Sequence, residues 1–163
     1  MEKNFSGKKI AIIRSLWNKN ITDLLLQSAT NYLKSVGFNE KDILIKNVPG
    51  SMELVYGSNE MIEKEKVDGV IALGCIIKGE TDHDQYISNA VSNGLVSVCL
   101  KYSKPVIFGV LTTNNLNQAI DRCGGKHGDK GIESAKSLIY LLCDWFYIPR
   151  NIFCNKYAPA PQK

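Results

Sequence analysis

The residues of this chain best suited to chemistry lie in the segment Gly79-Glu80-Thr81-Asp82-His83. It follows an apolar run and precedes a stretch of helical period. Its backbone N–H groups and the Thr81 hydroxyl are therefore placed to cradle a single phosphate. His83 stands at the entrance to the helix, and imidazole, with an unperturbed pKa of about 6.5, is the side chain best suited to moving protons near neutral pH. The spacing from Gly74 to Gly79 comes close to a nucleotide phosphate loop. Glu80 stands where that loop carries its lysine, and a carboxylate there would repel a triphosphate, which argues against an NTPase. A lone histidine at a loop–helix junction is more often a cap or surface group, so the role of His83 depends on what else converges on it.

Three other apolar runs end in polar or aromatic groups. They close in Arg14-Ser15-Leu16-Trp17-Asn18, in Val48-Pro49-Gly50-Ser51-Met52-Glu53 and in Phe108-Gly109-Val110-Leu111-Thr112-Thr113. If these runs are parallel strands of one sheet, their carboxyl ends share a rim that offers two aromatics, a carboxylate, a hydroxyl and an imidazole. Such a set suits a flat heteroaromatic ligand held by stacking and a few directed hydrogen bonds. Each residue also has a plainer use: Trp17 and Phe108 as core aromatics, Glu53 as a helix-start carboxylate, and Arg122 as a partner for a helix C-terminus. Nothing near Cys75 suggests an activated thiolate, so only its backbone is expected to serve.

The elements that must position these groups follow from periodicity. Strands are expected over residues 9–14, 42–48, 69–77 and 105–111, where Val and Ile gather in short runs. Between the first two, apolar residues recur at three- and four-residue steps from Ile21 to Val36, with Gly37 as a stop signal. Further helices are expected over 52–66 and 85–102. A short helix reaches Arg122 after capping chemistry at Thr112-Thr113-Asn114, and a last one runs over 130–145 after a Gly-rich turn in which His127 serves only the turn. The alternation implies an α/β protein: a three-layer α/β/α sandwich around a four-stranded parallel sheet, flavodoxin-like, forming a single domain over 1–163. The tail over 148–163, with Pro149, Pro159 and Pro161, cannot continue the helix and is expected to be loose.

Bulk properties narrow the function classes. With 163 residues, 44% of them hydrophobic, the chain suits one core rather than two. The net charge of +4 is modest and its basic residues are interspersed with acidic ones, so no nucleic-acid partner is expected. The five cysteines are widely spaced without a C-x-x-C pair, which fits a reducing compartment and no zinc site. No apolar run follows the N-terminal charges, and no stretch is long enough to span a bilayer. A cytoplasmic protein without membrane contact is expected. A phospho-receiver would need acidic residues after the first strand, where Arg14 stands, and a flavodoxin would need a hydroxyl-rich loop there.

Taken together, V-P-G-S-M-E-L, A-L-G-C-I-I-K-G-E-T-D-H, F-G-V-L-T-T and A-I-D-R-C-G-G-K-H-G-D-K-G resemble, in content and order, the motifs of the lumazine synthases, from about Lys9 to Leu142. The resemblance implies a cofactor-free, metal-free condensation in riboflavin biosynthesis. In it, 5-amino-6-ribitylaminouracil and 3,4-dihydroxy-2-butanone 4-phosphate give 6,7-dimethyl-8-ribityllumazine, with loss of phosphate and water. By that resemblance the pyrimidine stacks on Trp17, where many relatives have Phe. Ser51, Met52 and Glu53 meet the ribityl chain, and the backbone of Cys75, Ile76 and Ile77 meets the pyrimidine edge. Glu80 and Thr81 hold phosphate through main-chain N–H groups, and His83 transfers protons. Phe108, Arg122 and Lys130 form a wall from an adjacent subunit, with Arg122 gripping the phosphate. The resemblance also implies a homo-oligomer with sites between subunits, a pentamer or a sixty-subunit shell. The turn 123–131 departs from the common A-G-T-K-A-G-N-K-G form but has no insertion, which leaves both assemblies open. A riboflavin synthase of the archaeal type and a silent shell or flavin-storage protein are the rival readings. The full motif set argues against the first, and the presence of His83 and Arg122 against the second.

Overall fold

The run Ile10-Ala-Ile-Ile-Arg-Ser15 is β-branched and apolar enough to be buried on both faces, and it forms the central strand β1 (Ile10–Ser15), every residue of which is buried. The computed structural model describes residue 5 and residues 7–143. β1 is followed by α1 (Lys19–Ser35), a one-turn 3-10 segment (Glu40–Asp42), β2 (Ile43–Val48), α2 (Leu54–Lys64), β3 (Gly69–Ile77), α3 (His83–Tyr102) and β4 (Val106–Thr113). A short α4 (Leu116–Asp121), a small antiparallel pair β5 (Cys123–Gly125) and β6 (Gly128–Asp129), and α5 (Lys130–Leu142) complete the order.

The four main strands are all parallel, in the order β2-β1-β3-β4. From β1 the chain crosses to β2 on one side and then returns to place β3 on the other. Right-handed crossovers therefore put α1 on one face and α2 and α3 on the opposite face. α5 returns to pack beside α1. The period-two alternation of the strands divides the core accordingly. Ile10, Ile12, Ile71, Leu73 and Cys75 pack with Leu25, Leu33 and Leu138. Ala11, Ile13, Val70, Ala72 and Ile76 pack with Leu54, Ile62, Val91 and Leu95. The expected α/β sandwich around a four-stranded parallel sheet is the observed one. Among the described residues, no helix is long and apolar enough to cross a membrane.

Some boundaries differ from expectation. α3 begins at His83 rather than 85, so the histidine is the first helical residue. α2 begins at Leu54, because residues 51–53 are used in the loop that approaches β3. Thr112 and Thr113 belong to β4, and α4 is capped instead by Asn115, whose side-chain oxygen accepts from the Gln118 N–H at 3.0 Å. The expected Gly-rich turn contains the β5–β6 hairpin, and Asp129 caps α5 by accepting from the Ile132 N–H at 3.0 Å. The tail over 148–163, and the end of the last helix expected at 145, lie outside the described residues.

Candidate active site

Between β1 and β3 the direction of winding reverses, and in open parallel sheets ligands bind at the strand carboxyl ends beside such a reversal. A cleft of about 580 Å³ opens there, lined by Trp17 after β1, by Gly50 to Glu53 after β2, by Cys75 to Ile77, Gly79 and Thr81 at the end of β3, and by His83, Asp84 and Ile87 of α3. Of the expected site residues, Trp17, Ser51, Met52, Glu53, Cys75, Ile76, Ile77, Thr81 and His83 are thus brought to one cavity.

Asn18 ties the two strand ends together. It takes a left-handed conformation, φ 54° and ψ 47°, which asparagine tolerates better than most residues. Its side-chain amide donates to the Cys75 carbonyl at 2.9 Å. The backbone N–H groups of Leu16 and Trp17 donate to the carbonyls of Val48 and Pro49, at 2.8 and 3.0 Å, so the β1 loop is braced against the β2 loop as well. Trp17 is 72% exposed at the cleft, where its indole offers a flat apolar platform.

The β2 loop reaches β3 because residue 74 has no side chain: a Cβ there would lie 2.8 Å from Ser51 Oγ and 3.0 Å from Leu54 Cδ1. Ser51 is consequently buried against the strand, and Met52 is half exposed at the mouth. Glu53 folds back so that one carboxylate oxygen accepts from the Gly50 N–H at 2.8 Å, which fixes the loop. Cys75 is buried, and burial foremost, with Cys123 nearby, pushes its thiol up to about 12. The side chain is therefore a poor nucleophile and the strand contributes backbone groups, as expected.

At the other lip, the His83 N–H donates to Thr81 Oγ1 at 3.4 Å, which turns the chain into α3. His83 is exposed in the cleft wall, and among the described residues none hydrogen-bonds its ring. Glu80 is exposed and does not line the cleft.

Phe108, Arg122 and Lys130 lie elsewhere on the molecule. Phe108 sits in mid-strand, paired with Ala72, half-buried against the α2–α3 side of the core, and lines neither cavity described here. Arg122 and Lys130 line a second cleft of about 410 Å³ at the end of β4, with Val110 to Thr113, Gln118 and His127. The Arg122 fork meets Glu133 through two bonds, at 2.9 and 2.7 Å, and also donates to the His127 carbonyl. Burial, more than the nearby charges, lowers the pKa of Lys130. His127 therefore belongs to a cleft wall as well as to its turn. Two features escaped the sequence reading: the Glu133 pairing and the Asn18 clasp. Glu133 sits eleven residues from Arg122, and only a return of the chain could reveal that they meet.

A parallel α/β sheet with a largely apolar, aromatic-flanked cleft at its winding reversal defines a small-molecule-binding protein of the doubly wound class. The match to known proteins is more particular. The family model for 6,7-dimethyl-8-ribityllumazine synthase matches residues 7–143. Relatives of that name include a protein of Cytophaga hutchinsonii, 48% identical over 139 residues, covering 85% of this chain and 87% of the relative. One of Bacteroides fragilis is 45% identical over 134 residues (82% and 94%), and one of Helicobacter pylori 47% over 136 residues (83% and 87%). The chain belongs to the 6,7-dimethyl-8-ribityllumazine synthase family.

Proposed function

We propose that the cleft beside β1 and β3 binds 5-amino-6-ribitylaminouracil and condenses it with 3,4-dihydroxy-2-butanone 4-phosphate, making 6,7-dimethyl-8-ribityllumazine and releasing phosphate and water. The carrying observation is the convergence of Trp17, Ser51 to Glu53, Cys75 to Ile77 and His83 on one cavity. A pyrimidine stacked on Trp17 would have its edge along the β3 backbone, and its polyol chain would run toward the β2 loop. The Cys75 carbonyl already accepts from Asn18, which leaves one lone pair for a ligand N–H.

The reaction joins an amine to a ketone as an imine, eliminates phosphate, closes the second ring and dehydrates, and each stage moves a proton. His83, ungripped by neighbours, is the group placed to carry those protons. General acid–base help of this kind is worth about 10²–10⁴-fold. Holding the two reactants together can supply as much or more. The residues present do this with hydrogen bonds and proton transfer alone.

The phosphate would sit at the Gly79–Thr81 backbone, under Arg122 and Lys130 of a neighbouring copy. Arg122 and Lys130 line a different cleft from His83, although the strand ends behind the two clefts are paired, Cys75 to Ile77 with Leu111 to Thr113. In this reading each site is completed by an adjacent copy in a closed ring, a pentamer, free or assembled into a shell. Glu133 holds the Arg122 fork, so an incoming phosphate shares guanidinium donors with a carboxylate and meets an arginine already oriented. A cytoplasmic location fits two small polar substrates, one of them phosphorylated.

The test is to mix the purified protein with both substrates and follow the absorbance and fluorescence of the lumazine against the spontaneous reaction. Acceleration is expected, and its absence overturns the proposal.

A further inference from the structure

His127 lies outside the motif roles assigned above, yet it lines the second cleft together with Arg122 and Lys130. Its backbone is held at both ends: its N–H donates to the Asp121 carbonyl at 3.1 Å, and its carbonyl receives the Arg122 guanidinium. The imidazole is thus presented from a fixed turn, followed by Gly128 at φ 88°.

The charged residues of the elements around it belong to three groups. Asp121 and Arg122 close α4, Lys126 and Asp129 belong to its own hairpin, and Lys130 and Glu133 begin α5. β4 contributes no ionisable group to the wall, only Val110 to Thr113. The acidic groups nearest the cations already have partners, and one of those partners is Arg122 itself. Asp129 accepts from Ser28 Oγ at 2.7 Å and from the Ile132 N–H, while Glu133 is bound to Arg122. Among the described residues the cleft's lining holds Lys130, His127 and Arg122, the last with Glu133 behind it, and no carboxylate lines the cleft itself.

We infer that His127 is a third, proton-gated cation of this cleft, which tightens binding of a tetrahedral oxyanion when the imidazole is charged and relaxes it when it is neutral. The inference rests on the reading of this cleft as the phosphate wall and adds to it a pH-dependent grip on phosphate. Imidazole is the side chain whose charge changes between pH 5 and 8, whereas Arg122 stays charged throughout that range. Acid should therefore favour retention of the anion, and a rise toward pH 8 should favour its release.

Sulfate is the appropriate probe, because unlike phosphate it does not change charge over this range. Titration calorimetry of sulfate against the intact wild-type protein, His127→Gln and His127→Lys at pH 5.5 and pH 8 separates the outcomes. Both substitutions leave the backbone contacts in place. Loss of one charge-assisted contact should weaken sulfate binding by His127→Gln about five- to tenfold relative to wild type at pH 5.5. The two should converge at pH 8, and His127→Lys should bind at pH 8 about as tightly as wild type does at pH 5.5. Equal affinities of wild type and His127→Gln at both pH values would overturn the role of His127 alone. Failure of wild type to bind sulfate at either pH would overturn the anion-cleft reading with it, whereas the product-formation assay tests the condensation separately.

Discussion

His83 gains its position from the end of β3 and the first turn of α3, and it lines the same cleft as Trp17. His83→Ala is expected to lower kcat by about 10²–10⁴-fold while leaving KM nearly unchanged, as measured by lumazine formation. An unchanged kcat would remove the proton-transfer role. Cys75 is the opposite case. Its thiol is pushed up to about 12, chiefly by burial, so it should resist alkylation at pH 8 in the folded protein, and Cys75→Ala should retain kcat. Loss of activity in that variant would show that more than the backbone is used. Lys130 places binding and stability in conflict, because burial lowers its folded pKa below the unfolded value. The unfolded chain then holds the proton more firmly, so stability rises with pH from the lowered value up to the ordinary lysine range. Lys130→Met should therefore raise Tm at pH 7 and weaken phosphate binding, and its advantage in Tm should shrink near pH 10. An advantage that does not change with pH would refute this account.

At the scale of elements, α5 packs tightly on α1, and the contact depends on a glycine. A Cβ at Gly131 would collide with Ser28 Oγ and with the Leu25 carbonyl oxygen, and the backbone atom cannot turn aside. Gly131→Ala should cost about 1–3 kcal/mol in urea unfolding. A neutral result would mean that α5 can slide along α1. These same elements show what could be read without coordinates. The four β-branched runs and the apolar spacing of α1 announced the sheet and its first crossover, because long periodic segments carry many concordant residues. Cys123–Gly125 and Gly128–Asp129 are too short for any period, and their glycines read equally well as a plain turn. The rim loops were legible as carriers of the cleft, since Trp17, Ser51 to Glu53 and His83 all follow strand ends. Phe108 was not: it sits inside β4, and its paired neighbour Ala72 becomes visible only with the register.

For the whole molecule, the proposed sharing of each site between two copies makes a specific demand on assembly. If His83 of one copy works with Arg122 of the next, His83→Ala and Arg122→Gln are each nearly inactive, yet their mixed oligomer contains some intact sites. Random mixing in equal amounts in a ring should restore about a quarter of wild-type activity, because each site draws one half from each neighbour. Unfolding and refolding the two variants together and assaying lumazine formation checks this. Activity no greater than the sum of the separate variants would mean that each chain builds its own site.

The exposed indole of Trp17 has an optical consequence. A tryptophan in contact with water emits strongly at long wavelength, and a heteroaromatic ring laid on its face quenches that light by contact and by energy transfer. The chain has only one other tryptophan, Trp145, so in a Trp145→Phe background every photon of indole emission would come from Trp17. Where a phenylalanine at this position would be spectroscopically silent, this protein carries a built-in lamp whose dimming would count occupied sites, if the proposed stacking holds, without any added dye.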